Sequence, residues 1–304
     1  MKLEELQFIA SRNDELHAYI WMPDTEPRMV LQVCHGMTEH MGRYEQVAEF
    51  LTAHGIVVAG FDLRGHGKNP KKYDCATLEE NGWIASLEDI QNFRELLESR
   101  FHRLPHVLMG VSLGAFLLHD YLSRFPAPTA GAVFVGAGNQ PDTLISLTRI
   151  LVNKEIKKVG FNACSPLIDS LSFKAFNKKF APNRTFVDWL CSDEEQIDIY
   201  CKDNLCWRYN SAGLLLQMLD SMQRSANYNN WNKELPVLFL SGMNDPVGNF
   251  GKGPKRLKDK MNRSGISNVQ MHLFPQARHD IFHEYKNGVA DEALKTLVTW
   301  LKSL

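Results

Sequence analysis

Along this chain, short apolar runs alternate with stretches whose apolar positions recur every three or four residues. Met29–Cys34, Ile56–Phe61, His106–Val111, Gly131–Ala137, Pro236–Ser241 and Val269–Phe274 read as strands. Between them, Gly42–His54, Trp83–Phe101, Leu113–Arg124 and Val289–Leu301 carry helical periodicity. In the second of these, Ile84, Leu87, Ile90, Phe93, Leu96 and Leu97 fall on one stripe. Gly55, directly before Ile56, suits a helix C-cap. Leu6–Ala10 and Leu16–Met22 alternate apolar and polar residues around Ser11-Arg12-Asn13-Asp14, which predicts an opening hairpin. Strands with no polar face need cover on both sides, and crossovers of helical length supply it. The pattern predicts an α/β fold: a mainly parallel, eight-stranded sheet flanked by helices.

The alternation breaks between residues 138 and 234. This interval holds Lys/Asn-rich stretches (Asn153–Lys158, Lys174–Lys179), the acidic run Asp193-Glu194-Glu195, and shorter helical patterns. Those patterns are Leu144–Val152, Phe186–Leu190, Glu194–Tyr200 and Ala212–Met222. A structureless loop of this length is implausible in a compact domain. The expectation is a helical cap over 138–234, inserted into a core made of 1–137 and 235–304.

Composition narrows the partners. With 34 Lys+Arg against 35 Asp+Glu, the net charge of −1 gives no overall field to capture nucleic acid or an anionic bilayer. The basic stretch Lys252–Arg263 has no interleaved aromatics for base stacking and reads as a solvated helix. The most apolar run, Val107–Leu118, is too short for a membrane span and is interrupted by Gly110, Ser112 and Gly114. None of the six cysteines forms a Cys-x-x-Cys pair, and no Cys/His cluster has zinc spacing, so no metal site is expected. Acidic residues at the start, Glu4 and Glu5, do not suit a signal peptide. These features point to a cytoplasmic protein with reduced thiols.

The candidate chemistry begins at Gly110-Val111-Ser112-Leu113-Gly114, a G-x-S-x-G pattern between a strand and a helix. A serine that attacks must sit on a tight turn lifting its hydroxyl above the strand ends, and small neighbours make that turn feasible. It needs a base, and the base needs an orienting carboxylate. Asp245, in the turn after Pro236–Ser241, is the candidate acid; Asp198 and Asp220 fall in helical patterns and are worse placed. His279, in the loop after Val269–Phe274, is the candidate base. His272 lies within the strand and His283 at the start of a short helix. The oxyanion requires two backbone donors, expected from Leu113 and from Met37 in the loop after Met29–Cys34.

Several segments resemble the monoacylglycerol lipase/lysophospholipase-like branch of the α/β-hydrolase superfamily. They are His35-Gly36-Met37-Thr38-Glu39-His40 with Gly42-Arg43-Tyr44, Phe61–Gly67, Gly110–Gly114, Ser241–Gly248, and Ala277-Arg278-His279-Asp280 with Glu284. Asn177–Phe180 and Pro182–Thr185 resemble a bacterial subgroup. Asn69 stands where many members have Ser or Thr, and Gln276 replaces a usual Gly. The resemblance implies hydrolysis of acyl esters by Ser112, His279 and Asp245 without a cofactor. Its substrate would be a small acyl ester held by cap residues Phe173, Phe176, Phe180, Trp189, Leu215 and Met218, with Phe186 and Leu214 nearby. Thioesterase, acyltransferase and perhydrolase chemistry share the same residues. An aminopeptidase would need acids such as Asp193, Glu194 and Glu195 around a free amine, and a non-catalytic ligand receptor is the rival from another class.

Overall fold

The computed structural model describes residues 1–125, 129–224 and 228–304. Its strands are β1 (Lys2–Ile9), β2 (Glu15–Met22), β3 (Met29–Cys34), β4 (Ile56–Phe61), β5 (His106–Val111), β6 (Gly131–Val135), β7 (Val237–Gly242) and β8 (Val269–Phe274). They form one sheet in the order β1-β2-β4-β3-β5-β6-β7-β8. The β1–β2 and β2–β4 pairs are antiparallel and every other pair is parallel. The first strand starts at Lys2, earlier than its alternation suggests. It is an edge strand whose burial alternates, but an exposed Leu3 beside a part-buried Glu4 hides that alternation in the sequence.

The helices are α1 (Glu45–Thr52), α2 (Gly82–Arg100), α3 (Leu113–Arg124), α4 (Asp142–Val159), α5 (Pro166–Leu171), α6 (Phe173–Asn177), α7 (Glu194–Lys202), α8 (Ala212–Arg224), α9 (Lys252–Arg263) and α10 (Val289–Leu301). Along β5, Val107, Met109 and Val111 join an apolar layer with α1 and α10, while Leu108 joins the opposite layer with α2, α3 and α8. This is the period-two division of a strand buried on both faces. Each fully buried Leu or Phe in these layers contributes about 1.5–3 kcal/mol.

Helices α4 to α8 lie between β6 and β7, and their buried residues Ile145, Val152, Leu214 and Leu219 continue one of the sheet's layers. Two local expectations fail here. Phe186–Leu190 is a turn, because the Asp188 carboxylate accepts the Arg184 and Thr185 N–H groups, competing with a helix. The Lys/Asn-rich stretches are largely helical: α4 runs through Asn153–Lys158, and α6 with a 3-10 turn covers Lys174–Phe180. Their lysines are exposed, and of the apolar residues of α4 only Ile145 and Val152 are buried, with Leu144, Leu147, Ile150 and Leu151 left exposed. No helix among the described residues is long and apolar enough to cross a membrane.

The topology fixes where a ligand can sit. The chain passes from β3 outward to β4, then crosses to β5 on the other side of β3. Loops leaving β3 and β5 therefore part in opposite directions, opening a crevice at the strand ends between them. Ser112 stands at the end of β5, and His35–Tyr44 follows β3.

Candidate active site

Ser112 has φ 51° and ψ −113°, a strained conformation for a residue with a Cβ, costing about 1–3 kcal/mol. The neighbours make that turn feasible. A Cβ on Gly114 would lie 1.9 Å from the Cys34 carbonyl oxygen, and one on Gly110 would lie 2.4 Å from the Gly114 oxygen. Helix α3 thus approaches β3 and β5 so closely that only glycine fits. As the first residue of α3, Leu113 has an N–H with no turn behind it to accept.

The loop after β3 faces this turn. The His35 ring accepts the Leu63 N–H at Nε2 (2.9 Å) and donates from Nδ1 to the Gly36 carbonyl (2.8 Å). Burial pushes its pKa down to about 4, so it stays neutral and keeps this tautomer. Glu39 Oε1 accepts the Gly36 N–H at 2.6 Å and the Tyr44 hydroxyl at 2.9 Å. Thr38 has φ 66°, held by Tyr200 of α7, whose hydroxyl donates to the Thr38 carbonyl at 3.1 Å. With both flanks fixed, the Met37 N–H forms no hydrogen bond within the described protein, and neither does that of Leu113. Two unengaged N–H groups thus flank Ser112 at the strand ends.

Asp245 follows β7 and is fully buried; its Oδ1 accepts the Val247 N–H at 2.8 Å. The same oxygen lies 2.9 Å from His279 Nδ1, an ion-pair distance approached obliquely to the ring N–H. His279 Nε2 has no hydrogen-bond partner. Burial opposes the charged ring, but Asp245, with Asp280 and Glu39, outweighs it and raises the His279 pKa above the ordinary 6.5. The ring is seated by Gly136, whose φ is 59° and whose Cβ, if present, would meet His279 Cε1 at 2.8 Å. Trp189 lies against it, tilted by 40° with 5.0 Å between centroids.

Ser112, His279, Met37 and Gly36 line one cavity of about 40 Å³. Of the expected acyl-binding residues, Phe173, Phe176, Trp189, Leu215 and Met218 line it too. Phe180 does not: its ring lies under the Arg278 guanidinium, 4.3 Å away, and Arg278 also donates to the Asp188 and Cys191 carbonyls. Leu214 is core, and Phe186 packs under Arg208. A second apolar chamber of about 410 Å³ adjoins the first and shares Ser172, Phe176, Leu215, Met218 and Val247 with it. Asp198 and Asp220 are tied to Arg184 and Arg149, and His272 to Glu292, all away from the cavity.

A model of the family described as serine aminopeptidase, S33, matches residues 25–286. A monoglyceride lipase homolog of monkeypox virus is 32% identical over 293 residues, covering 95% of each chain. The chain belongs to this family, in the monoglyceride lipase-like branch of the α/β-hydrolases. A monoacylglycerol lipase of Mycolicibacterium smegmatis is 24% identical over 93% of this chain and 91% of its own. Among solved structures, a thermostable carboxyl esterase from Bacillus coagulans aligns with a TM-score of 0.85 at 21% identity, over 100% of this chain and 99% of that one.

Two parts of the hydrolase site escaped sequence reasoning. Gly136 ends β6, where a lone glycine gives no signal until the histidine arrives against it. The insertion's anchors escaped as well. Glu284, fully buried, accepts the Arg278 N–H (2.9 Å), the Ser192 N–H (3.1 Å) and the Ser192 hydroxyl, and the Asp280 N–H donates to Leu190 (2.7 Å). Those bonds tie the histidine loop to residues 188–192. Motif similarity singled out Glu284, but its partners are distant in sequence.

Proposed function

We propose that this protein hydrolyses carboxylic esters of the monoacylglycerol or lysophospholipid type, through an acyl-enzyme on Ser112. The observation that carries the reading is one small cavity lined by a strained serine, an imidazole with a free Nε2 and Met37, whose N–H is unengaged, with the unengaged N–H of Leu113 directly after the serine. His279 Nε2 takes the Ser112 proton as Oγ attacks the ester carbonyl. The developing oxyanion is held by the Met37 and Leu113 N–H groups, and Asp245 stabilises the imidazolium through Nδ1. His279 then protonates the departing alcohol. Water, deprotonated by the same ring, attacks the acyl-serine and releases the acid, so only ester and water are consumed.

The acyl side is proposed to lie under residues 138–234 acting as a cap. The inner cavity is on the scale of one or two water molecules. A chain longer than a few carbons must therefore pass Phe176 and Val247 into the adjoining chamber. Relatives named monoacylglycerol lipase support a glycerol-type leaving group. All six cysteines are free thiols, in keeping with a cytoplasmic setting.

The family's description names an aminopeptidase, but a free amine needs an unpaired carboxylate. Glu39 and Asp280, the acids lining the cavity, are both engaged by Arg43. Asp193 caps α7, and Glu194 and Glu195 are exposed. Ester cleavage is therefore favoured. The test is turnover of monoacylglycerols, lysophospholipids, matched thioesters and aminoacyl amides by wild type and Ser112→Ala. Ester turnover abolished by the substitution, with loss of fluorophosphonate labelling and an unchanged melt, is the expected result. Retained ester turnover in Ser112→Ala refutes the mechanism, and preferential cleavage of aminoacyl amides refutes the substrate class.

A further inference from the structure

Glu39, buried, and Asp280, with 15% of its side chain exposed, are acids beside the base, and the proposed reaction gives neither a step. Glu39 belongs to the loop after β3, where its Oε1 fixes the Gly36 peptide that precedes the Met37 donor. Asp280 adjoins His279, and its Oδ1 lies 2.8 Å from His283 Nδ1. Both carboxylates meet one cation. Arg43, with its side chain only 8% exposed, reaches Glu39 Oε2 from Nε at 3.1 Å and Asp280 Oδ2 from Nη2 at 2.7 Å. Its Cζ also lies 4.9 Å from the centroid of Tyr200, the residue that holds Thr38. A planar fork with separately directed donors can join two carboxylates; a lysine ammonium is a point charge on a flexible stem and cannot reproduce that span.

We infer that Arg43 is a positioning residue, holding the oxyanion loop and the histidine loop in register while neutralising the two carboxylates that flank the base. The inference rests on the serine-hydrolase reading above. Around His279, Asp245 faces the ring from the loop after β7, Asp280 from its own loop, and Glu39 from the loop after β3. Trp189 covers it from the insertion without charge, and His283 acts through Asp280. Arg43 is the counter-charge to the second and third of these acids. Left uncompensated, they would favour the imidazolium, which cannot accept the serine proton.

The discriminating measurement is the pH dependence of kcat/KM on a soluble ester, with active enzyme counted by fluorophosphonate titration. Arg43→Met is expected to lower kcat at the plateau at least tenfold, with KM little changed, because a misplaced oxyanion donor is lost in effect. It should also move the acidic limb to higher pH. Arg43→Lys keeps the charge and should keep the limb in place while kcat falls. Asp280→Asn should move the limb the other way, to lower pH. A purely structural arginine would lower the folded fraction and leave every limb where it was. An unmoved limb in Arg43→Met, or a shift of the same sign in Asp280→Asn, overturns the inference. If Arg43→Met does not fold, the lysine and asparagine variants decide: a kept limb and a lowered limb support it, and an unmoved limb in Asp280→Asn overturns it. Turnover retained by Ser112→Ala would overturn the serine reading and this inference with it. Normal kcat and limb in the Arg43 variants, with Ser112→Ala inactive, would sink the inference alone.

Discussion

Acidification should unfold this protein through its buried histidines. Burial pushes the His35 pKa down to about 4 and those of His66 and His119 to about 3. An unfolded histidine titrates near 6.5. Each folded value lies below the unfolded one, so the unfolded chain binds the extra proton and stability falls as pH drops below about 6.5. Between pH 7 and 5 each group contributes a loss of about 1.9 kcal/mol, and the three together about 5–6 kcal/mol. That rivals the whole stability of a typical domain, about 5–15 kcal/mol. His279 works against it: its raised pKa contributes stability that is present below 6.5 and lost as pH rises through the folded value. The observed loss should therefore fall somewhat short of the sum.

The cleanest single probe is His119→Phe. His119 packs among Tyr228, Trp231 and Phe134, and neither of its ring nitrogens finds a partner among the described residues. A phenyl ring of similar shape removes one proton from the uptake and leaves no polar atom unsatisfied. Denaturant melts at pH 7, 6 and 5 should show about a third less pH dependence, near 1.3 kcal/mol less per pH unit at pH 5. At pH 7 the variant should be at least as stable as the wild type. A wild-type loss under about 2 kcal/mol across this range, or an unchanged slope in His119→Phe, would refute the reasoning. The linkage also reaches the loop after β3, which carries the proposed oxyanion donor Met37: once His35 is protonated, Nε2 no longer accepts the Leu63 N–H and the loop loses that anchor.

Two further outcomes follow from the site. Gly114→Ala must push a methyl group into the Cys34 carbonyl, so it should reduce labelling of Ser112 by a fluorophosphonate far more than it lowers the melting temperature; full labelling would contradict the close approach of α3. Phe176→Ala opens the junction between the two chambers, so KM for short esters should rise while chains of eight carbons or more are spared, and an unchanged chain-length series would refute the proposed acyl route.

Much of the framework was legible because it is local. Six apolar strands, the helices between them and the glycine-flanked serine each carry their own periodicity or spacing. The insertion was less legible, and for a physical reason. In α4, Leu144, Leu147, Ile150 and Leu151 are exposed while only Ile145, Val152 and Glu155 are buried. Its hydrophobic pattern therefore does not report which face packs. The turn at Phe186–Leu190 was misjudged because Asp188 redirects the local backbone, an effect that composition does not show. Phe180 was placed in the acyl pocket by its type, whereas Arg278, nearly a hundred positions away in sequence, covers it instead.

By itself, the sequence determined the α/β alternation, the chain order of serine, acid and histidine, and the family resemblance. Each is written in short segments whose residues need only their neighbours. Tertiary structure alone decided what those segments meet: Gly136 against the imidazole, Arg43 between Glu39 and Asp280, and Glu284 binding the histidine loop to the insertion. The reason is distance along the chain. Arg43 and Asp280 are 237 positions apart and 2.7 Å apart in space, and only the assembly of the sheet, which sets the loops after β3, β5, β7 and β8 at one end of its parallel strands, brings such groups to one crevice.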